Sequence, residues 1–245
     1  MSLPGRTVLI TGAAGALGLA VAHRLAEPGT RLVLCDRDAA GLEVARSSLS
    51  GSDVETVVAD VGDAGEVDAA VAFAVDRFGG LDVMINNAGI LSPNKRMHQL
   101  TPQDWDAQLR VNLMGTVHGM TAAIRVMRSG GGGSIVNTAS VAGLTAWTHS
   151  APYCAAKAAV IHLSKVAAVE YARDRIRVNC VCPGTFESSM SQLIPEAALA
   201  GLTARYPLGL GKPADLVGAF AYLAGAESGW TTGTAMVVDG GYAAP

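Results

Sequence analysis

Apolar positions along the chain follow two different patterns. Short β-branched runs alternate with longer Ala- and Leu-rich stretches of helical period. Short apolar runs bounded by turn residues are typical of buried strands, and the longer periodic stretches are typical of helices. The runs predict seven strands, at residues 7–10, 31–35, 55–59, 83–86, 134–138, 177–181 and 235–238. The stretches between them predict six main helices, at residues 17–25, 39–48, 65–78, 102–127, 152–172 and 213–224.

This alternation of strands and helices predicts repeated βαβ units. Right-handed crossovers put helices on both faces of such a sheet and gather the binding loops at the carboxyl ends of its strands. We therefore expect an α/β fold with a doubly wound, seven-stranded parallel sheet. The chain has 245 residues and no internal repeat or linker, and single cores tend to divide only beyond roughly 250 to 300 residues. One domain spanning residues 1–245 is therefore expected.

One long irregular region is predicted at about residues 183–211, with a short helix at 196–205 inside it. Loops of this length in a compact domain usually form lids or binding loops. The apolar side chains of this region either close over a largely apolar substrate or pack on the core. They are Met190, Leu193, Ile194, Leu199 and Leu202.

Composition narrows the possible classes of protein. Half of the residues are hydrophobic and only 16% are charged, which excludes intrinsic disorder. The formal net charge of -3 provides no basic field, so we expect a small-molecule partner and no nucleic acid. The longest stretch without charged residues, 129–156, is interrupted by Gly, Asn, Ser and Pro, so no membrane span is predicted. The first residues carry no signal-peptide pattern, and we expect a cytoplasmic protein.

The four cysteines do not have the spacing of a metal site. Cys180 and Cys182 flank a single residue in a predicted strand, while Cys35 and Cys154 are isolated. In a reducing compartment such residues are usually small, buried, apolar side chains. We therefore predict neither a metal site nor disulfides.

A glycine-rich turn follows the first predicted strand. After Thr11, residues 12–18 read Gly-Ala-Ala-Gly-Ala-Leu-Gly and lead into the first predicted helix. Backbone N–H groups at such a helix start can face a pyrophosphate. The turn therefore predicts a dinucleotide site, although a glycine-rich turn alone is weak evidence. The residues expected to hold the pyrophosphate are Gly12, Gly15, Ala16, Leu17 and Gly18.

An acidic residue at the end of the second strand strengthens this prediction. Asp36 lies 18 residues beyond Gly18, where a carboxylate accepts hydrogen bonds from the adenosine ribose 2′-OH and repels a 2′-phosphate. NAD is therefore preferred to NADP. Arg37 leaves NADP open as the alternative, because its guanidinium would bind a 2′-phosphate if Asp36 turned away. Asp36 also fits a turn or helix cap, a role that Asp38 fills equally well.

Two polar residues stand on one face of the sixth predicted helix. Tyr153 and Lys157 are four residues apart, so their side chains can meet at a single site. An adjacent ammonium favours the phenolate and lowers the pKa of the tyrosine. Tyr153 would then act as a general base on an alcohol, or as a general acid on a carbonyl in the reverse direction.

Several further motifs follow the glycine-rich turn in order. They are Asp60-Val61, the run Asn86, Asn87, Ala88 and Gly89, then Asn112, Ser140, Tyr153 with Lys157, Arg177 with Asn179, Pro183-Gly184, and residues 238–241. Through these motifs the sequence resembles the short-chain dehydrogenase/reductase family over nearly its whole length, residues 11–241. The resemblance implies a Rossmann-type fold. Two departures from the family pattern are Ala16, where glycine is usual, and Ser188, where threonine is common.

The resemblance also implies a role for each motif residue. Asn112, Ser140, Tyr153 and Lys157 would be catalytic: Ser140 would hydrogen-bond the reacting oxygen, and Asn112 would position a water in a proton relay to Lys157. Lys157 would also hold the nicotinamide ribose. Further cofactor contacts are expected from Asp60 and Val61 at the adenine, and from Asn87, Ala88, Gly89, Pro183, Gly184 and Ser188.

The combined pattern predicts an NAD-dependent oxidoreductase that interconverts a secondary alcohol and a ketone. An NADP-dependent carbonyl reductase and a nucleotide-binding protein without turnover remain as alternatives. The long helices around residues 105–127 and 155–168 are apolar over much of their surface, and relatives pair such helices in tetramers. We therefore expect a homo-oligomer, with a tetramer favoured. Trp147 and His149 lie between Ser140 and Tyr153 and either line the substrate pocket or only shape the loop.

Overall fold

The computed structural model describes residues 3, 5–50, 52–188, 191 and 196–244. Its strands are β1 (Thr7–Thr11), β2 (Arg31–Asp36), β3 (Asp53–Val58), β4 (Val83–Asn86), β5 (Gly133–Thr138), β6 (Ile176–Pro183) and β7 (Ala235–Val238). Its α-helices are α1 (Ala16–Leu25), α2 (Ala39–Ser48), α3 (Ala64–Phe78), α4 (Pro102–Leu109), α5 (Gly115–Gly130), α6 (Ala151–Tyr171), α7 (Glu196–Thr203) and α8 (Pro213–Ala224).

All seven strands pair in parallel in one sheet, in the order β3-β2-β1-β4-β5-β6-β7. The predicted doubly wound α/β fold is therefore confirmed. The order of the strands reverses between β1 and β4, and ligands of such sheets bind in the crevice outside the carboxyl ends of the strands at this point. The glycine-rich turn after β1 and the residues after β4 meet there.

The sheet is buried on both faces, which explains the nearly continuous apolar runs of its strands. Val8 and Ile10 of β1 belong to the core shared with α1, α2 and α8. Leu9, between them, belongs to the core on the opposite face, shared with α3 and α5. Because successive side chains of a strand point to opposite faces, the two cores fix the register of β1.

The helix predicted at residues 102–127 is not continuous. A π-helical turn, Arg110–Met114, separates α4 from α5. Asn112 lies in this wider turn, where its side chain is hydrogen bonded to the backbone of Ile90. Hydrophobic periodicity over five residues does not distinguish this turn from an α-helical one, so the sequence pattern missed it. Turns of this kind are frequent at functional sites.

Backbone hydrogen bonds join the start of the long region after β6 to its end. The N–H of Glu187 donates to the carbonyl of Gly211 (2.9 Å), and the N–H of Gly211 donates to the carbonyl of Thr185 (3.2 Å). The short predicted helix is present as α7. Three of the predicted lid residues, Met190, Leu193 and Ile194, lie outside the described residues. None of the helices that the structure describes combines the length and apolar character needed to cross a membrane.

Candidate active site

A cleft of about 420 Å³ opens at the carboxyl ends of the central strands. Every residue that the sequence predicted for the site lines this cleft, apart from Gly18. The predicted residues that line it are Gly12, Gly15, Ala16, Leu17, Asp36, Arg37, Asp60, Val61, Asn87, Ala88, Gly89, Asn112, Ser140, Tyr153, Lys157, Pro183, Gly184 and Ser188.

The glycine-rich turn leaves room for a ligand at the start of α1. Gly12 has a φ of +66°, and a Cβ there would lie 2.8 Å from Cα of Ala88, so glycine is required on both counts. Gly15 is the N-cap of α1 and makes no side-chain cap hydrogen bond. The first N–H groups of α1 therefore remain uncapped by a side chain and are available to an anion. This geometry fits a pyrophosphate.

Gly18 serves the packing of the turn and does not line the cleft. A Cβ on Gly18 would lie 2.2 Å from the carbonyl oxygen of Gly12. Only glycine therefore allows α1 to approach the turn this closely. Gly18 therefore holds the turn, and the contact of Gly18 with the cofactor stays a prediction.

Asp36 links the second strand to the glycine-rich turn. One of its carboxylate oxygens accepts from the N–H of Ala14 (3.0 Å), and the other accepts from the N–H of Asp38 (3.1 Å). Each oxygen has a further lone pair for a ligand hydroxyl. Asp38 caps α2 by accepting from Gly41, so the capping role belongs to Asp38. Arg37 is exposed at the same rim of the cleft.

Asp60 is held in place by a residue that the sequence analysis did not single out. Arg110 donates to its carboxylate at 2.8 Å, and the N–H of Gly62 donates to the other oxygen at 2.8 Å. The hydrogen bond from Arg110 is the largest of the causes that lower the pKa of Asp60. Arg110 is 50 residues away in the chain, so no local pattern could reveal this pair.

The segment after β4 supports the glycine-rich turn. The Asn87 amide donates to the carbonyls of Thr11 (3.1 Å) and Gly12 (3.2 Å). The Thr11 hydroxyl in turn accepts from the N–H groups of Asn87 (3.0 Å) and Ala88 (3.2 Å). These four bonds fix the two loops on either side of the switch point relative to each other.

Three predicted catalytic side chains meet at the carboxyl end of β5. Ser140 is buried, its hydroxyl accepts from the N–H of Ala142 (3.1 Å), and its side chain lies close enough to Tyr153 to affect the pKa of the phenol. Lys157 is also buried, and its ammonium donates to the carbonyl of Thr138 (2.7 Å). Its Nζ lies 5.7 Å from the centroid of the Tyr153 ring. The helical spacing therefore brings the two residues together as predicted.

Burial changes the pKa values of both groups. It raises the pKa of the Tyr153 phenol, and the hydrogen bond from Ser140 offsets part of this increase. It lowers the pKa of Lys157 from 10.5 to about 8. The predicted decrease in the pKa of Tyr153 is therefore not produced by the protein groups alone, because desolvation of the phenolate is the larger effect.

The side chain of Asn112 is fully engaged within the protein. Its Oδ1 accepts from the N–H of Ile90 (2.9 Å), and its Nδ2 donates to the Ile90 carbonyl (2.9 Å) and to Oε1 of Gln108 (2.9 Å). A Cβ on Gly89 would lie 2.8 Å from Oδ1 of Asn112 and 3.8 Å from Nζ of Lys157. Asn112 therefore lies beside Lys157 and holds the wall of the cleft.

The remaining wall is largely apolar. Ile90, Leu91, Trp147 and Phe186 line the cleft together with the predicted residues. His149 is exposed, has a φ of +64° and is absent from the lining, so the structure favours a role in shaping the loop. Within the described part of the chain, no cluster of three or more His, Cys, Asp or Glu side chains could hold a metal ion.

The chain is similar to known proteins over nearly its whole length. A family model described as enoyl-(acyl carrier protein) reductase matches residues 12–243. Levodione reductase of Leifsonia aquatica is 35% identical, over 98% of this chain and 94% of its own. Cis-4-hydroxycyclohexanecarboxylate dehydrogenase of Sinomonas cyclohexanicum is 37% identical, over 98% of this chain and 97% of its own. A crystal structure of a short-chain dehydrogenase/reductase from Mycobacterium marinum has a TM-score of 0.95 at 34% identity and covers 100% of this chain and 98% of that one.

The chain belongs to the short-chain dehydrogenase/reductase family. It is an oxidoreductase that acts on CH–OH groups and uses an NAD(P) nucleotide. The resemblance seen in its sequence motifs is confirmed.

Proposed function

We propose that the protein is an NAD-dependent oxidoreductase that interconverts a secondary alcohol and a ketone, with Tyr153 as the general acid and base. The observation that carries this proposal is the convergence of Ser140, Tyr153, Lys157 and Asn112 on one cleft behind a glycine-rich turn. A protein that only binds nucleotides has no need of a serine and a tyrosine in this arrangement.

Each side chain has a separate task in the reaction. When bound in this cleft, NAD would supply the acceptor for the hydride of the carbinol carbon. The phenolate of Tyr153 takes the hydroxyl proton, and Ser140 donates a hydrogen bond to the reacting oxygen. Lys157, protonated, stabilises the phenolate and holds ribose hydroxyls. In the direction of reduction, the Tyr153 phenol returns the proton to the carbonyl oxygen.

The cofactor is held along the switch point of the sheet. The start of α1 would hold the pyrophosphate, Asp60 and Val61 would contact the adenine, and Pro183, Gly184 and Ser188 would contact the nicotinamide end. NAD is preferred because Asp36 would repel a 2′-phosphate. Arg37, exposed at the same rim, favours NADP as the second candidate.

The substrate is a small and largely apolar alcohol or ketone. Ile90, Leu91, Trp147 and Phe186 supply the apolar wall. A relative named for the dehydrogenation of a hydroxycyclohexanecarboxylate supports a ring alcohol or the corresponding ketone. We also propose a cytoplasmic homo-oligomer, with a tetramer favoured, and no role in nucleic-acid binding.

The test of the reaction is turnover followed by nicotinamide absorbance, with cyclic and acyclic secondary alcohols as substrates. Tyr153→Phe is expected to lose at least about a hundredfold in kcat, a typical contribution of general acid–base catalysis, and to retain NADH binding. Tyr171→Phe, on the same helix but outside the cleft, is the matched control. Full turnover by Tyr153→Phe would refute the mechanism.

The cofactor preference is tested by titrating NADH and NADPH against the protein fluorescence. Wild-type protein is expected to bind NADH more tightly, and Asp36→Ser is expected to reduce or reverse the preference. Arg37→Ser serves as the comparison, since it removes the neighbouring charge. Tighter binding of NADPH by the wild type would instead establish the second candidate.

A further inference from the structure

We propose that Gln108 is a positioning residue for the active site, acting through Asn112 and the wall segment at Ile90 and Leu91. This inference rests on the proposed function, because it assigns a task within that reaction. The sequence motifs do not include Gln108, and it does not line the cleft.

Gln108 lies near the end of α4 with only 1% of its surface exposed. Both ends of its amide are used: Nε2 donates to the carbonyl of Leu91 (2.8 Å), and Oε1 accepts from Nδ2 of Asn112 (2.9 Å). Its two partners are 17 and 4 residues away. A single buried side chain thus bridges the cleft wall and the π-helical turn.

These contacts belong to one hydrogen-bond network that holds the cleft wall. Asn112 holds Ile90 by two hydrogen bonds, and Gln108 holds both Asn112 and the adjoining Leu91. Gly89, the residue before Ile90, lies against both Asn112 and Lys157. A shift of this segment would therefore change the position of the wall relative to Lys157 and to the substrate.

The chemistry of the two contacts requires a neutral group that both donates and accepts. Glutamine satisfies this requirement at every pH. An ionised glutamate would accept from Asn112 but could not donate to Leu91, whereas a protonated glutamate would do both. Methionine has a similar length and makes neither bond. Comparing glutamine, glutamate and methionine at position 108 therefore separates the effect of the hydrogen bonds from the effect of side-chain volume.

The experiment compares wild type with Gln108→Met and Gln108→Glu for kcat, KM and NADH affinity over a range of pH. We expect Gln108→Met, which loses both hydrogen bonds, to lose about tenfold in kcat, with NADH affinity unchanged within about twofold. Gln108→Glu is expected to approach wild-type kcat at low pH and to lose kcat as its carboxyl ionises and the bond to Leu91 breaks. Gln103→Met, exposed on the same helix, is the control.

Hydrogen exchange does not depend on turnover, so it tests this inference separately from the proposed function. The Ile90 amide, bonded to Asn112, is expected to exchange with deuterium faster in Gln108→Met than in wild type and in Gln103→Met. Altered exchange in a protein that oxidises no alcohol would refute the proposed reaction and leave the contacts intact. Unchanged kcat and exchange in Gln108→Met, or a purely thermal destabilisation with normal kcat, would overturn the positioning role.

Discussion

Lys157 is the residue whose burial has the most direct energetic consequence. It is 3% exposed, and it bonds to a backbone carbonyl with no carboxylate partner among the described residues. Desolvation therefore lowers its pKa to about 8. A site that keeps such a group must gain from its charge elsewhere, which fits its proposed role beside the phenolate of Tyr153.

This pKa shift predicts a dependence of stability on pH. Between about pH 8 and the pKa of an unfolded lysine, the unfolded chain binds more protons than the folded one, so Lys157 makes the free energy of unfolding rise with pH. The gain is at most about 3 kcal/mol. We expect Lys157→Met to have a larger free energy of unfolding than wild type near neutral pH, and this difference to narrow as the pH rises. Urea unfolding of both proteins at several pH values measures it.

The comparison with Lys157→Met is needed because other groups titrate in the same range. Burial raises the pKa of Cys35 to about 12, so this thiol makes stability fall with rising pH in both proteins. Lys165→Met, an exposed lysine on α6, should leave the pH profile unchanged. A constant gap between Lys157→Met and wild type would contradict the assigned burial of the charge.

At the scale of elements, α5 lies directly on the polar end of β4. The Asn86 amide donates to Oδ1 of Asn137 (2.8 Å), and the Asn137 amide donates to the hydroxyl of Ser164 on α6 (2.9 Å). Gly119 of α5 faces Asn86 so closely that a Cβ would lie 1.9 Å from its Oδ1. The absence of a side chain at Gly119 sets how close α5 comes to the sheet.

Replacing each of two helical glycines with alanine should therefore have opposite effects on the stability of the protein. Gly119→Ala is expected to destabilise the protein by about 1–3 kcal/mol, because α5 or Asn86 must move. Gly218→Ala, exposed on α8 with open space around it, should stabilise the protein by about 0.5–1 kcal/mol through helix propensity. Chemical unfolding of both variants tests this, and equal effects would mean that the close approach to Asn86 does not control packing.

The whole molecule exposes several large apolar side chains outside the cleft. Val169 of α6 is 82% exposed, and Trp230 is fully exposed. Met114 and Val166, on the helices predicted to pair, are each 40% exposed. Large apolar patches mark interaction sites, and the exposed side chains of α6 would contribute to such a patch where two copies of the chain pair.

We expect light scattering at micromolar concentration to give a multiple of the 25.0 kDa chain mass, with four copies favoured. Val166→Lys is expected to lower this mass, because it places a charge on a predicted pairing helix. Val44→Lys, at a position 69% exposed on α2, is the control. A monomeric wild-type protein would rule out the assembly.

The sequence by itself determined the parts that depend on local pattern. Strand and helix periods indicated all seven strands, and the glycine-rich turn, Asp36, Tyr153 and Lys157 were identified because each follows a strand or shares a helical face. Ser140 was identified through the resemblance to the family. Parallel strands bring their carboxyl ends to one edge, so these residues had to meet near one cleft. Their positions could therefore be predicted without the distances between them.

Only the tertiary structure decided how these residues are held. The Arg110–Asp60 pair and the contact between Gln108 and Leu91 join segments that no sequence period relates, and the packing role of Gly18 depends on how the turn folds against α1. The π-helical turn at Asn112 and the burial of Lys157 likewise depend on neighbours that the fold brings together. Local patterns specify which faces of each element are buried, whereas hydrogen-bond partners and desolvation are properties of the packed whole.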